Sequence, residues 1–307
     1  MPPRSPLPQR RGLDAAWLRT PDNDAGSAPR WATMREFLVE RLPSTVPVEE
    51  MLAAGEFVDH AGRSWTGAEP YRPSTLMWFH RPLNPEPVVP FPIAVLYRDA
   101  GLVVVDKPHF LATTPRGSHV VESVLVKLRE GLGLPDLAAA HRLDRLTAGV
   151  LVLTADREHR AAYAGLFQTR EVRKTYEALA PFDRTLQFPR RVTNRIGKWP
   201  GRLQAEVVPG EPNAETLIEL VETRGEYARY RLTPVTGKTH QLRLHMAALG
   251  LPILGDPLYP AVLDVDPGDF STPLQLVARR LRFTDPIDGT PHDYTSRFAL
   301  RWPEAVQ

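Results

Sequence analysis

The sequence predicts an α+β fold whose strands are joined mainly by hairpins. Three observations predict it. Residues 93–99 and 102–108 are apolar and strand-like, and Asp99-Ala100-Gly101 joins them as a hairpin. Leu217–Val221 and Tyr227–Leu232 pair in the same way around Thr223-Arg224-Gly225-Glu226. Helical patterns fall irregularly among the strands instead of alternating with them, which argues against a parallel α/β sheet.

The 307 residues can bury a substantial core in one or two domains. With 42% hydrophobic and 24% charged residues the composition is ordinary for a globular protein. No stretch approaches ~20 uninterrupted apolar residues, so no membrane span is expected. Zero cysteines exclude disulfides, thiolate metal sites and cysteine nucleophiles. Met1–Pro8 lacks the apolar run of a secretory signal, and a cytoplasmic protein is expected. A net charge of +2, from 38 basic and 36 acidic side chains, is too mild to announce a polyanion partner by itself.

Taken in order, residues 1–30 are rich in Pro, Arg, Asp and Ser and read as a mobile tail. Met34, Phe37, Leu38 and Leu42 recur at helical spacing until Pro43. Pro47, Glu49 and Glu50 open a second helix that Gly55 ends. With a strand over Glu56–Arg63, residues 31–82 form a small N-terminal α/β module. This module resembles the RNA-binding module of a ribosomal small-subunit protein, and a packing role is the alternative. Residues 83–92 are a proline-rich linker, and 93–307 form the larger domain. Within it, Ser118–Leu132 is predicted as an amphipathic helix closed by Gly131. Thr154 is expected to cap another, with Asp156 and Glu158 in its first turn. Val172–Leu179 alternates like a strand.

The chemistry concentrates in Ala140-His141-Arg142-Leu143-Asp144-Arg145-Leu146-Thr147-Ala148-Gly149, one carboxylate among basic neighbours before the apolar run Val150–Leu153. A second segment is Pro234-Val235-Thr236-Gly237-Lys238-Thr239-His240-Gln241-Leu242-Arg243-Leu244-His245. Gly237-Lys238-Thr239 matches the end of a phosphate-binding loop, but the glycine required five residues earlier is Leu232, so a nucleotide cofactor is not expected. Thr239 can cap a helix ending before Gly250, with Leu242, Met246 and Leu249 on its buried face. His240 and His245 are five residues apart on that helix, and no third ligand accompanies them, so no metal is expected. Arg190, Arg191, Arg195 and Lys198 lie near Trp199, a mixture that suits a phosphate backbone and an unstacked base, with a solvated loop as the alternative.

His-Arg-Leu-Asp-x-x-Thr-x-Gly resembles the signature of the RluA family of RNA pseudouridine synthases. Asp106-Lys107-Pro108, Lys174-Thr175-Tyr176, the Thr236–Arg243 segment and Leu249–Tyr259 resemble further motifs of that family in the same order, over residues 93–300. Lys238 stands where arginine is usual, and Val277 replaces a histidine. The resemblance implies the pseudouridine synthase fold, a mixed and mainly antiparallel sheet flanked by helices, and isomerisation of specific uridines in structured ribosomal or transfer RNA to pseudouridine, by base flipping and glycosidic bond rearrangement. It implies Asp144 as the catalytic residue, acting as nucleophile or as a base that gives a glycal. Arg243 would pair with and orient Asp144 bidentately, Tyr176 would hold the base, and Leu242 would pack beneath it. Arg142 would fill the space of the flipped uridine. Arg145, Lys174, Lys238 and His240, with Arg190, Arg191, Arg195 and Lys198, complete the expected RNA-binding set. A monomer without cofactor or metal is expected. The alternatives are a catalytically silent RNA-binding or ribosome-assembly factor on the same fold, and a hydrolase that breaks the same bond with water.

Overall fold

Residues 4–22 and 29–303 are described by the structure, a computed structural model, and the chain separates into two units, Met1–Pro85 and Glu86–Gln307. The first unit holds β1 (Ala16–Arg19), α1 (Met34–Arg41), α2 (Val48–Ala53) and β2 (Leu76–Phe79). Thr33 caps α1 by accepting the Glu36 N–H at 3.2 Å, and Gly55, at φ +69°, follows α2. Met34, Phe37 and Leu38 of α1 meet Met51 and Leu52 of α2 and Phe57, Met77 and Phe79 in one core.

The stretch expected to be a mobile tail contributes β1, paired antiparallel to β2 with Ala16 opposite Phe79. Its alternation spans four residues, too few to stand out, and it is the edge of β2 that gives it a partner. Residues 1–3 and 23–28 of that stretch lie outside the described residues. Formal side-chain charge over residues 1–85 is balanced, ten arginines against ten acids. Arg35 and Arg63 are engaged by Glu49 and Asp59. This unit therefore exerts no net long-range attraction on a polyanion.

The second unit continues with β3 (Ala94–Arg98), β4 (Leu102–Lys107), α3 (Val124–Leu132), β5 (Ala138–Ala139), β6 (Ala148–Thr154), α4 (Arg160–Gln168) and β7 (Arg173–Pro181). Next come β8 (Arg190–Gly197), β9 (Glu206–Val208), β10 (Ala214–Arg224), β11 (Tyr227–Pro234), α5 (Gln241–Ala248), β12 (Leu276–Thr284) and β13 (Pro291–Thr295). One sheet runs β3-β4-β6-β12-β7-β11-β10-β8-β9, with β13 also on β12 and β5 also on β6. Every pairing in it is antiparallel except β6 with β12. β4 and β6 are buried along their whole length, which explains their unbroken Val/Leu runs.

Helix starts differ from expectation in three places, in two of them because another group satisfies the backbone. The helix expected from Ser118 begins at Val124, since the Glu86 carboxylate takes the N–H groups of Val120, Val121 and Glu122. Gly133, left-handed at φ +65°, closes it, and Gly131 lies inside. The expected linker is thus held against this unit from Glu86 onward, and Val89 is buried. Thr154 ends β6 instead of capping α4, which begins only at Arg160 after Asp156 has turned the chain by accepting the Glu158 N–H. At α5 the preceding residue is His240, left-handed at φ +58°, not a capping Thr239.

β12 is the strand on which the site depends, because β6 lies parallel on one side of it and β7 antiparallel on the other. The parallel contact is close. A Cβ on Gly149 would lie 2.4 Å from the Ala278 carbonyl oxygen, and Gly149 also has φ +122°. Gly149→Ala is therefore expected to lower the unfolding free energy by at least about 2 kcal/mol, measurable by urea denaturation.

Candidate active site

Asp144 stands on a turn between β5 and β6, closed by the Thr147 N–H donating to its own carbonyl at 3.1 Å. The residues on either side are pinned by buried groups. Thr113 donates its hydroxyl to the Leu143 carbonyl at 2.8 Å and accepts the Leu143 N–H at 3.1 Å. Lys107, fully buried at the end of β4, donates Nζ to the carbonyls of Pro108, Leu111 and Arg145 at 2.9, 2.7 and 3.1 Å. Burial pushes that lysine down to about 7, with the Asp144 charge opposing. Backbone fixed on both sides leaves the Asp144 carboxylate 32% exposed, rigid yet reachable.

Arg243, on the first turn of α5, is 2% exposed and reaches Asp144 with Nη1 at 3.8 Å. The bidentate partner is Asp256 instead, Nε to Oδ2 at 2.8 Å and Nη2 to Oδ1 at 2.5 Å. Asp256 is fully buried, and its Oδ1 also accepts the N–H groups of Leu258 and Tyr259. The guanidinium lies 5.4 Å over the Tyr259 ring. Burial opposes its charge, but the Asp256 bonds and the two carboxylates outweigh that and raise its pKa. The expected Asp144–Arg243 fork is thereby corrected: Asp256 occupies it, and Arg243 offers Asp144 one edge. Asp256 was legible only as part of a family motif. Its physical signal is the need of a buried arginine for a buried acid.

Three connected clefts share Asp144. The narrow one, of about 100 Å³, has Tyr176 on β7, Leu242, Arg243 and Leu276 around the carboxylate. Burial, then the Asp144 charge, raises the Tyr176 phenol above its usual range, so it stays protonated at neutral pH. A second, of about 380 Å³, gathers Arg142, Arg170, Lys174 and Lys238. Lys174 is pushed down by burial and by Arg170, as expected where cations crowd. His141 also lines it, stacked on Phe167 at 4.3 Å. His141 adds no positive charge there, since burial and Lys174 push it down to about 3 and its Nε2 accepts the Val152 N–H. The third cleft, of about 770 Å³, is lined by Arg142, Arg145, Lys198 and His240 together with apolar residues.

No side chain caps α5 at His240; instead Gln241, its first residue, reaches back over the turn that leads into the helix. Its Oε1 accepts the Lys238 N–H and the Thr236 hydroxyl, and its Nε2 donates to the Glu215 carbonyl. His245 is a buried structural group between Thr216 and Asn194. Arg190, Arg191 and Arg195 lie exposed on β8 and line none of the three clefts. Arg191 is ion-paired with Glu215, and Arg195 lies across Gly210.

A family model described as RNA pseudouridylate synthase matches residues 101–248. The dual-specificity RNA pseudouridine synthase RluA of Yersinia pestis is 33% identical over 205 residues, which cover 64% of this chain and 95% of that protein. The chain belongs to the RluA family of RNA pseudouridine synthases. Its relative of the same description from Haemophilus influenzae is 32% identical over 219 residues, 70% of this chain and 96% of that one. Among solved structures, human RNA Pseudouridylate Synthase Domain Containing 4 matches with a TM-score of 0.52 at 26% identity, covering 67% of this chain and 88% of that one. In this RluA-family chain, the family-model match spans the Asp144 loop, Tyr176 and α5.

Two outcomes follow for stability. Asp256→Asn keeps the shape but strands a buried guanidinium, so urea denaturation is expected to show a loss of about 3 kcal/mol. His109, His141 and His245 are pushed down by burial to about 4, about 3 and about 4 from 6.5, so each is neutral in the fold. The unfolded chain binds more protons below pH 6.5, and stability is expected to fall from there toward pH 4. Unfolding midpoints measured across that range check this, and His141→Gln should flatten the slope.

Proposed function

We propose that this protein isomerises uridine in RNA to pseudouridine, with Asp144 as the catalytic residue. The observation that carries the reading is a fixed, reachable carboxylate facing Tyr176, Leu242 and one edge of a buried arginine in a cleft of one base's scale. In the reaction the bond from ribose C1′ to uracil N1 breaks, the base turns, and C5 bonds to C1′. C5 gives up its proton and N1 gains one, so nothing is oxidised and no water is consumed. Asp144 acts on the ribose, as nucleophile at C1′ or as the base that removes the C2′ proton to give a glycal. Either step needs a free oxygen lone pair, and an Arg243 already engaged by Asp256 leaves one available. Arg243 supplies a stationary charge that holds Asp144 in place.

Tyr176, protonated, holds the flipped base against Leu242. Arg142, exposed and common to all three clefts, enters the stack in place of the uridine and offsets part of the unstacking cost. Arg145, Lys174, Lys238, His240 and Lys198 contact RNA around the cleft, and Arg190, Arg191 and Arg195 extend that contact along β8. Among the described residues no helix is long and apolar enough to cross a membrane. The partner is ribosomal or transfer RNA, met by a monomer in the cytoplasm.

RNA labelled with tritium at uracil C5 tests the reaction, since isomerisation releases the label to water while RNA mass is unchanged and no free uracil appears. Asp144→Asn is expected to lose at least about a thousandfold in rate, roughly 4 kcal/mol, with RNA affinity within about threefold of the parent. Tritium release within about tenfold of the parent would remove Asp144 from the mechanism. Pseudouridine maps from cells with and without the gene would identify the target RNA.

A further inference from the structure

The widest of the three clefts differs in chemistry from the other two. Its floor is buried and apolar, formed by Ala112, Leu143 and Leu146. Its lips are apolar and exposed. Leu203, 65% exposed, stands at the tip between β8 and β9, and Val262, Leu263 and Val265, 46–59% exposed, stand on the loop after Tyr259. Single exposed apolar residues need no explanation, but four around one cleft beside a reacting carboxylate form a patch that does. Cations line the same cleft, with Arg116, Lys198 and Arg202 joining Arg142 and Arg145.

Both lips are built rather than loose. Trp199 folds back on Gly197, so that a Cβ there would come within 2.5 Å of the indole, and Arg202 covers the ring at 5.4 Å. The Tyr259 hydroxyl accepts the Ala205 N–H at 2.7 Å and donates to the Ala205 carbonyl at 3.0 Å. Gln204 hydrogen-bonds the Leu258 carbonyl. The hairpin tip and the facing loop are therefore joined at their bases and open at their ends.

We propose that this apolar cleft is a second nucleobase subsite, receiving the unstacked base of a nucleotide next to the target uridine. The occupant follows from the combination. An apolar floor suits a planar base, a cationic rim suits the phosphates joined to it, and continuity with Asp144 requires the same strand. Asp264, on the far lip, keeps those phosphates toward Arg116, Lys198 and Arg202. The substrate is thereby restricted to unpaired RNA of at least two splayed nucleotides, and a base paired in a helix is rejected. The subsite rests on the reading that RNA is the substrate.

A fluorescein-labelled heptaribonucleotide with one central uridine among adenosines, bound to the full chain and followed by anisotropy, tests it in a double-mutant cycle. An abasic nucleotide on one side of the uridine is expected to weaken binding about tenfold in the parent. The Leu203→Asp, Leu263→Asp double variant is expected to bind the intact heptamer about tenfold more weakly and to ignore the abasic change. Independent, additive effects would overturn the subsite, as would indifference of the parent to an abasic neighbour on either side, or failure of the single strand to bind. Tritium release separates the two readings. A parent that releases tritium but shows no coupling loses the subsite alone, and one that couples without releasing tritium loses the isomerisation.

Discussion

A single buried ion pair, Arg243 with Asp256, underlies the geometry around Asp144. A guanidinium at 2% exposure needs a full counter-charge, and a carboxylate with two backbone donors supplies it. Such a pair contributes little net stability, but it fixes position. It holds α5 to the loop that follows it, and it sets the third nitrogen of the fork 3.8 Å from Asp144. A guanidinium held by Asp144 alone would have occupied both of its oxygens. With Asp256 in that place, the bidentate contact falls to a buried acid and Asp144 keeps an exposed edge.

The sheet brings the remaining groups to this pair. β12 lies between β6 and β7, so the turn ahead of β6 and the middle of β7 converge, and α5 arrives from β11 two strands away. The three clefts around Asp144 differ in chemistry. Crowded cations stand on one side, a narrow pocket holds the acid and the phenol, and an apolar cleft opens on the other side. Distant residues maintain the arrangement through backbone contacts. Gly149 permits β6 to touch β12, Lys107 and Thr113 pin the residues flanking Asp144, and Gln241 ties the Lys238–His240 turn to β10.

Much of this was legible in the sequence, and the part that was not has physical reasons. Long strands with strong patterns, β4, β6, β7, β10 and β11, are visible from hydrophobic runs and turn residues. Asp144, Tyr176 and Arg243 are visible because ordered motifs carry them. Helix starts at Val124 and Arg160 are not, since Glu86 and Asp156 take backbone groups that a local capping pattern would claim. β1 is hidden by its length. Asp256 as the partner of Arg243, and His141 as a neutral acceptor, depend on burial, which no window of residues reports. The spread of Arg190, Arg191 and Arg195 along an exposed strand depends likewise on which face of β8 meets the core.

The Tyr259 hydroxyl holds the β8–β9 hairpin through the peptide groups of Ala205, and on its other side it meets Nδ1 of His240 at 3.0 Å. An attachment made to main chain is blind to the identity of the residues beyond it. The Tyr259 anchorage of this hairpin therefore does not depend on the side chains at positions 198–203, whereas Trp199 against Gly197, with Arg202 over its ring, ties the tip to its own strand.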